Sequence, residues 1–142
     1  MTTRYSPQAK DWSPVRESDA GNVQCAIGYC PTNLFQLNQN DVVEMVKIPI
    51  GAIVVDTILD TGAMGANVLG AVGDGDEKEE YITNTAVANA SLTRRNSTKC
   101  AGIPKVYSAQ DTVDVTFSNA NPTDNIAFAL YVEYVCGLDI TP

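Results

Sequence analysis

Three features of the 142-residue sequence predict an all-β chain, a jelly-roll-like antiparallel β-sandwich carrying an extended N-terminal arm. The first is the C-terminal run "IAFALYVEYVC", where Ile126, Phe128, Leu130, Val132 and Tyr134 alternate with Ala127, Ala129, Tyr131, Glu133 and Val135. Alternation of period two places successive side chains on opposite faces of a strand. The second is "DTVDVTFS", with Val113, Val115 and Phe117 directed inward and Thr112, Asp114 and Thr116 outward. The third is negative: no segment shows an apolar stripe of comparable length at helical spacing. Several short strands separated by polar turns such as "NANPTDN" belong to a sandwich or jelly roll.

The remaining elements follow in chain order. Residues 1–40 are read as an arm and transition segment, and residues 41–142 as the sandwich. "MTTRYSPQAKDWSPVRESDAGNVQ" is polar, holds Pro7 and Pro14, and has no sustained period. Such a segment gains little from folding by itself and orders only against something else. Tyr5 and Trp12 are its aromatic anchors and its candidate partner-binding residues; a disordered tail is the plainer alternative. In the transition segment, Leu34, Phe35 and Leu37 are expected to pack onto the domain edge.

From residue 41, "DVVEMVKIPI" reads as a strand with Val43, Met45 and Lys47 on one face, broken at Pro49, which cannot donate to a ladder. "AIVVDTILD" is the next strand, with Ile53, Val55, Thr57 and Leu59 assigned to one face and Asp56 and Asp60 to the wetter one. "NTAVANASL", residues 84–92, is the single stretch read as a turn or two of helix.

Composition limits function. The net charge of −8 argues against nucleic-acid binding, which requires clustered Lys and Arg to neutralise phosphates. No apolar run approaches the roughly 20 residues of a membrane span. The start lacks the layout of a secretory signal, so the protein is expected to be made in the cytoplasm. There is no histidine, the usual base for Ser and Cys nucleophiles, and no phosphate loop or nucleophile elbow. The expectation is a non-enzyme without cofactor or metal.

Three clusters were candidates for chemistry. "TRRNSTKCAGIPK" gathers Arg94, Arg95, Lys99 and Lys105, either a solvated loop or a small basic patch for a partner's carboxylates or a phosphate. Cys25, Cys30, Cys100 and Cys136 read as free thiols packing as small hydrophobes, with a four-thiolate zinc site as the alternative. "VLGAVGDGDEKEEYI" supplies five carboxylates. A calcium loop would place ligands at alternate positions, and Lys78 falls where one is needed. The stretch is therefore read as a solvated loop in which "GDG" supplies positive backbone torsions.

The succession "IPIGAIVVDTILDTG", "VLGAVGDGDEKEEYI", "YSAQDTVDVTF" and "ALYVEYV", over residues 48–136, resembles small structural proteins of tailed-bacteriophage virions. The resemblance implies a decoration or cement protein on the capsid surface: a jelly roll, often a trimer, that clamps neighbouring major capsid subunits. It brings no catalytic residue, and the cysteines lie outside its pattern. Its rivals are a tail, collar or fibre-base protein of the virion, and a carbohydrate-binding β-sandwich for host adhesion.

Overall fold

The computed structural model describes residues 2–6, 9, 23–31, 36–99 and 105–136. These form nine strands: β1 (Thr3–Tyr5), β2 (Val23–Cys30), β3 (Val42–Ile48), β4 (Ile53–Thr61), β5 (Leu69–Gly73), β6 (Ile82–Ala86), β7 (Ser91–Arg94), β8 (Asp111–Ser118) and β9 (Phe128–Val135). They build a five-stranded sheet ordered β1-β3-β8-β5-β6 and a four-stranded sheet ordered β2-β9-β4-β7. Every pairing is antiparallel except that of β1 with β3. The result is a jelly-roll-like β-sandwich.

From β2 to β9 the chain passes between the sheets at every connection except β5–β6. Its turns are therefore mostly corners rather than hairpins. At the first corner after β3, Gly51 takes a φ of +82° and Ala52 donates to Pro49 O at 3.3 Å. A left-handed torsion there suits glycine, which has no Cβ to clash.

The core lies between the sheets. The inward residues expected on β8 and β9, Val113, Val115, Phe117, Phe128, Leu130, Val132 and Tyr134, are all buried in it. Phe117 and Phe128 meet edge to face at 5.1 Å between centroids, the arrangement favoured by the ring quadrupoles. Val43 and Met45 are buried in the core, as the alternation on β3 implied, but the register against β8 shifts between Glu44 and Val46, so Val46 joins the core and Lys47 stands opposite outward-facing Thr112.

Two further expectations are corrected. In β4 the core receives Val54, Thr57, Leu59 and Thr61, while Val55 is exposed. The register against β9 shifts between Val54 and Asp56, and this bulge moves the alternation by one residue. Residues 84–92 are not helical. Asn84, Thr85 and Ala86 complete β6, and Ser91 and Leu92 open β7, with bends between them. The sheet ladder supplies more hydrogen-bond partners than one or two isolated helical turns could hold in water.

The N-terminal 40 residues contribute a strand to each sheet. β1 lies on the edge of the five-stranded sheet, where Ser6 N donates to Glu44 O at 2.9 Å and the Ser6 hydroxyl donates to Met45 O. β2 pairs with β9 along its whole length, from Val23 opposite Val135 to Cys30 opposite Phe128. The reading of Leu34 and Phe35 as edge-packing residues falls outside the described residues; Leu37 is buried in the core.

Candidate functional site

The acidic stretch after β5 is bound into the fold rather than solvated throughout. Asp74 is 3% exposed. Its Oδ1 accepts from the amides of Asp76 at 3.1 Å and Glu77 at 3.0 Å, which closes the loop as an Asx turn. Its Oδ2 accepts from Tyr107 Oη at 3.0 Å and pairs with Lys105 Nζ, and Tyr107 in turn shares a hydrogen bond with Tyr81.

Lys105 and Tyr107 reach Asp74 because their segment runs along the corner before β4. Gly51 donates to Tyr107 O at 2.7 Å, and Tyr107 donates to Ala52 O at 3.1 Å. Burial by itself would raise the Asp74 pKa. The bonds from Lys105, the Glu77 amide and Tyr107 outweigh it, and the carboxyl sits below its ordinary value. Burial raises the Tyr107 hydroxyl, with neighbouring Tyr81 and Asp74 adding to the rise. The groups form a structural latch, satisfied at each oxygen of Asp74. The "GDG" glycines are explained differently from the expectation, since neither Gly73 nor Gly75 has a positive φ. Gly73 is required because a Cβ there would stand 2.0 Å from Glu77 O.

Beside this latch, on the outer face of the five-stranded sheet, is a cavity of about 670 Å³ lined by Thr3, Glu44, Asp74, Lys78, Asp114 and Thr116 among others. Glu44 and Asp114 are directly opposite each other in the β3–β8 ladder. Like charges so placed repel. Asp114 is 5% exposed and accepts a hydrogen bond from Thr112 Oγ1 at 2.7 Å. Burial first, then the charges of Glu44, Asp111 and Asp74, push its pKa up to about 7. Glu44 is raised for the same first reason, and by Asp111. Alternation marked Asp114 as outward-facing, but the Glu44–Asp114 juxtaposition depends on register and was not visible in sequence. Among the described residues no group of three His, Cys, Asp or Glu side chains is placed to hold a metal ion.

The residues singled out from sequence are dispersed. Tyr5 ends β1 and is exposed, on the edge of the five-stranded sheet. Trp12 lies outside the described residues. Arg94 ends β7 on the other sheet, largely exposed, with its guanidinium 3.6 Å from Asp56. Arg95 has a structural post: it donates to Val54 O at 3.2 Å at the β4 bulge and stands 5.5 Å over the Tyr81 ring. The two arginines therefore do not form one patch.

Cys25 and Cys30 are free thiols. They are an odd number of residues apart on one strand and so face opposite sides, Cys25 exposed and Cys30 in the core. Burial pushes the Cys30 pKa up to about 12, which leaves it an unreactive packing group. Cys136 is buried, and Cys100 lies outside the described residues. No helix among the described residues is long and apolar enough to cross a membrane.

The sandwich is of the kind found in chains of phage capsids. It superposes on a chain of the capsid of Ralstonia phage GP4 with a TM-score of 0.77 at 18% identity, covering 97% of this chain and all of that one. A chain of the cyanophage Pam1 capsid asymmetric unit gives 0.67 at 20% identity, over 93% of this chain and 96% of the other. A chain of the acidic stable capsid of Helicobacter pylori bacteriophage KHP30 gives 0.58 at 22%, over 81% and 88%. No protein-family model and no curated protein sequence matches the chain.

Proposed function

We propose that this chain is a structural protein of a tailed-phage virion, bound to the outer capsid surface, where it clamps neighbouring major capsid subunits as a decoration or cement protein. The observation that carries the reading is the end-to-end likeness to a chain of the GP4 capsid. The two chains match over nearly their full lengths. Satisfied buried polar groups such as the Asp74 latch fit a protein that works by shape and surface, not by catalysis.

In this reading the chain is made in the host cytoplasm and joins the shell as a homotrimer. Symmetry then multiplies modest contacts through high effective concentration. The test mixes purified chain with shells isolated from phage in which this gene is disrupted. Co-sedimentation at a fixed ratio to the major capsid protein, with threefold density on the outer surface by electron cryomicroscopy, is the expected result. Shells that leave the chain in the supernatant at micromolar concentration would defeat the proposal. Density confined to the tail or collar would move the protein elsewhere in the virion.

A further inference from the structure

The two outer faces of the sandwich differ in chemistry. On the five-stranded sheet the outward residues of β3 and β8 are mostly polar, among them Glu44, Thr112, Asp114 and Thr116 with Val42 the apolar exception, and the 74–78 loop lines the cavity beside them. The four-stranded sheet is different. Its register aligns Val23, Val135 and Ile53 in one row, and Ile27, Tyr131 and Ile58 in another, the latter ending at Arg94. A further row runs Tyr29, Ala129, Asp60 and Leu92. Of these, Val23 is 62% exposed, Ile27 50%, Tyr29 48% and Leu92 65%. Several large apolar groups concentrated on one face mark an interaction surface.

Two further observations say what covers it. Among the described residues of its four strands, the outward charged groups of this face are Asp56, Asp60, Glu133 and Arg94, three carboxylates against one guanidinium. Asp56 is answered by Arg94 at 3.6 Å. Among the described residues neither Asp60 nor Glu133 makes an ion pair. Asp60 moreover lines a cleft of about 460 Å³ whose lining includes Tyr29, Tyr131, Ile126 and Ala129. A carboxylate beside two tyrosines in an apolar cleft suits a lysine or arginine, whose alkyl stem lies on apolar surface while its head meets the charge. A second copy applied through the same face would bring together two surfaces each with an excess of carboxylates, which disfavours self-association there.

We infer that the outer face of β2, β9, β4 and β7 docks a protein surface that is apolar at its centre and presents a basic side chain to the Asp60 cleft. This rests on the proposed function and identifies the chain's shell-facing side: the occupant is a major capsid subunit, not another copy of this chain. Among the described residues β2 is the edge strand of that sheet, with no further strand beyond it.

The experiment uses full-length chain and shells lacking it, reading occupancy against chain concentration by sedimentation. Ile27→Asp and, separately, Leu92→Asp should each raise the half-saturating concentration by at least about tenfold, as for loss of a central apolar contact. Both positions are exposed, so their melting temperatures should stay near the parent's. Asp60→Asn should weaken binding and reduce its dependence on salt, whereas Asp76→Asn, on the loop of the other sheet, should change neither. If the parent binds and the Ile27, Leu92 and Asp60 variants bind equally well, this face is not the docking face, although the capsid reading stands. A parent that does not bind at all would instead count against the capsid reading itself. A free-chain oligomer that dissociates in Ile27→Asp, with shell binding retained, would assign the face to a second copy and overturn the inference.

Discussion

Asp74 and Asp76 stand two positions apart in one acidic loop, yet the structure gives them opposite weights. Asp74 is enclosed and held by Lys105, Tyr107 and two amides, while the Asp76 side chain is 88% exposed. Asp74→Asn should cost about 3 kcal/mol, the lower end for breaking a buried pair, because Lys105 keeps some access to water. Asp76→Asn should stay within about 0.5 kcal/mol. Urea denaturation of the two single variants separates them, and equal small losses would refute the latch. Asp114 supplies a second prediction at this scale. Its carboxyl keeps its proton in the folded chain to about pH 7, against an ordinary value of 3.8. Between those values the folded state binds more protons than the unfolded state, so this group's contribution to stability falls as pH rises through that window. Asp114→Asn should therefore melt above the parent at about pH 8 and converge with it near pH 4. A constant difference across pH would show that the carboxyl is ionised throughout.

At the scale of elements, β2 is seated by a glycine. A Cβ at Gly28 would lie 2.6 Å from Met45 O, so β2 and β3 approach at a point where only hydrogen fits. The obstacle is backbone and cannot rotate away. Gly28→Ala should cost about 1–3 kcal/mol through overpacking. Gly75→Ala, with no atom within 4 Å of the new Cβ, should be nearly neutral. Thermal melting of the pair checks this, and a neutral Gly28→Ala would mean that the strands part without penalty. Here the sequence was only partly legible. The alternation of β8 and β9 was plain because each is regular and half-facing the core. β4 misled at Ile53 and Val55 because its bulge has no residue signature. β2 is not legible as a strand because "VQCAIGYC" puts its larger apolar groups, Val23, Ile27 and Tyr29, on the outer face and Gln24, Ala26, Gly28 and Cys30 on the inner one.

For the whole molecule, the pairing of β2 with β9 joins residues near opposite ends of the sequence. The sandwich cannot be divided at residue 40 without opening an edge of β9 and removing β1 and Cys30 from their places. A fragment of residues 41–142 should lose the cooperative urea transition that the full chain shows. A sharp transition of the same midpoint in the fragment would show that the first 40 residues are dispensable to the fold. Closure of contacts so distant in sequence also places refolding of the full chain in the range of milliseconds to seconds, measurable by stopped-flow fluorescence.

By itself the sequence determined the all-β class, the inward residues of β8 and β9 and the break at Pro49. Each of these is a local property, read from a two-residue period or from a missing donor. The tertiary structure alone decided that Asp74 is a buried latch, that Glu44 faces Asp114, that Arg95 bonds the backbone of the β4 bulge while Arg94 reaches the Asp56 carboxylate, and that exposed aliphatics collect on one sheet. Each of those depends on register or on enclosure by a distant segment: Lys105 over Asp74, β8 beside β3, β2 beside β9. Composition states which groups a chain carries. Only the pairing of strands states which of them meet, because burial and charge act over a few ångströms of space and not along the chain.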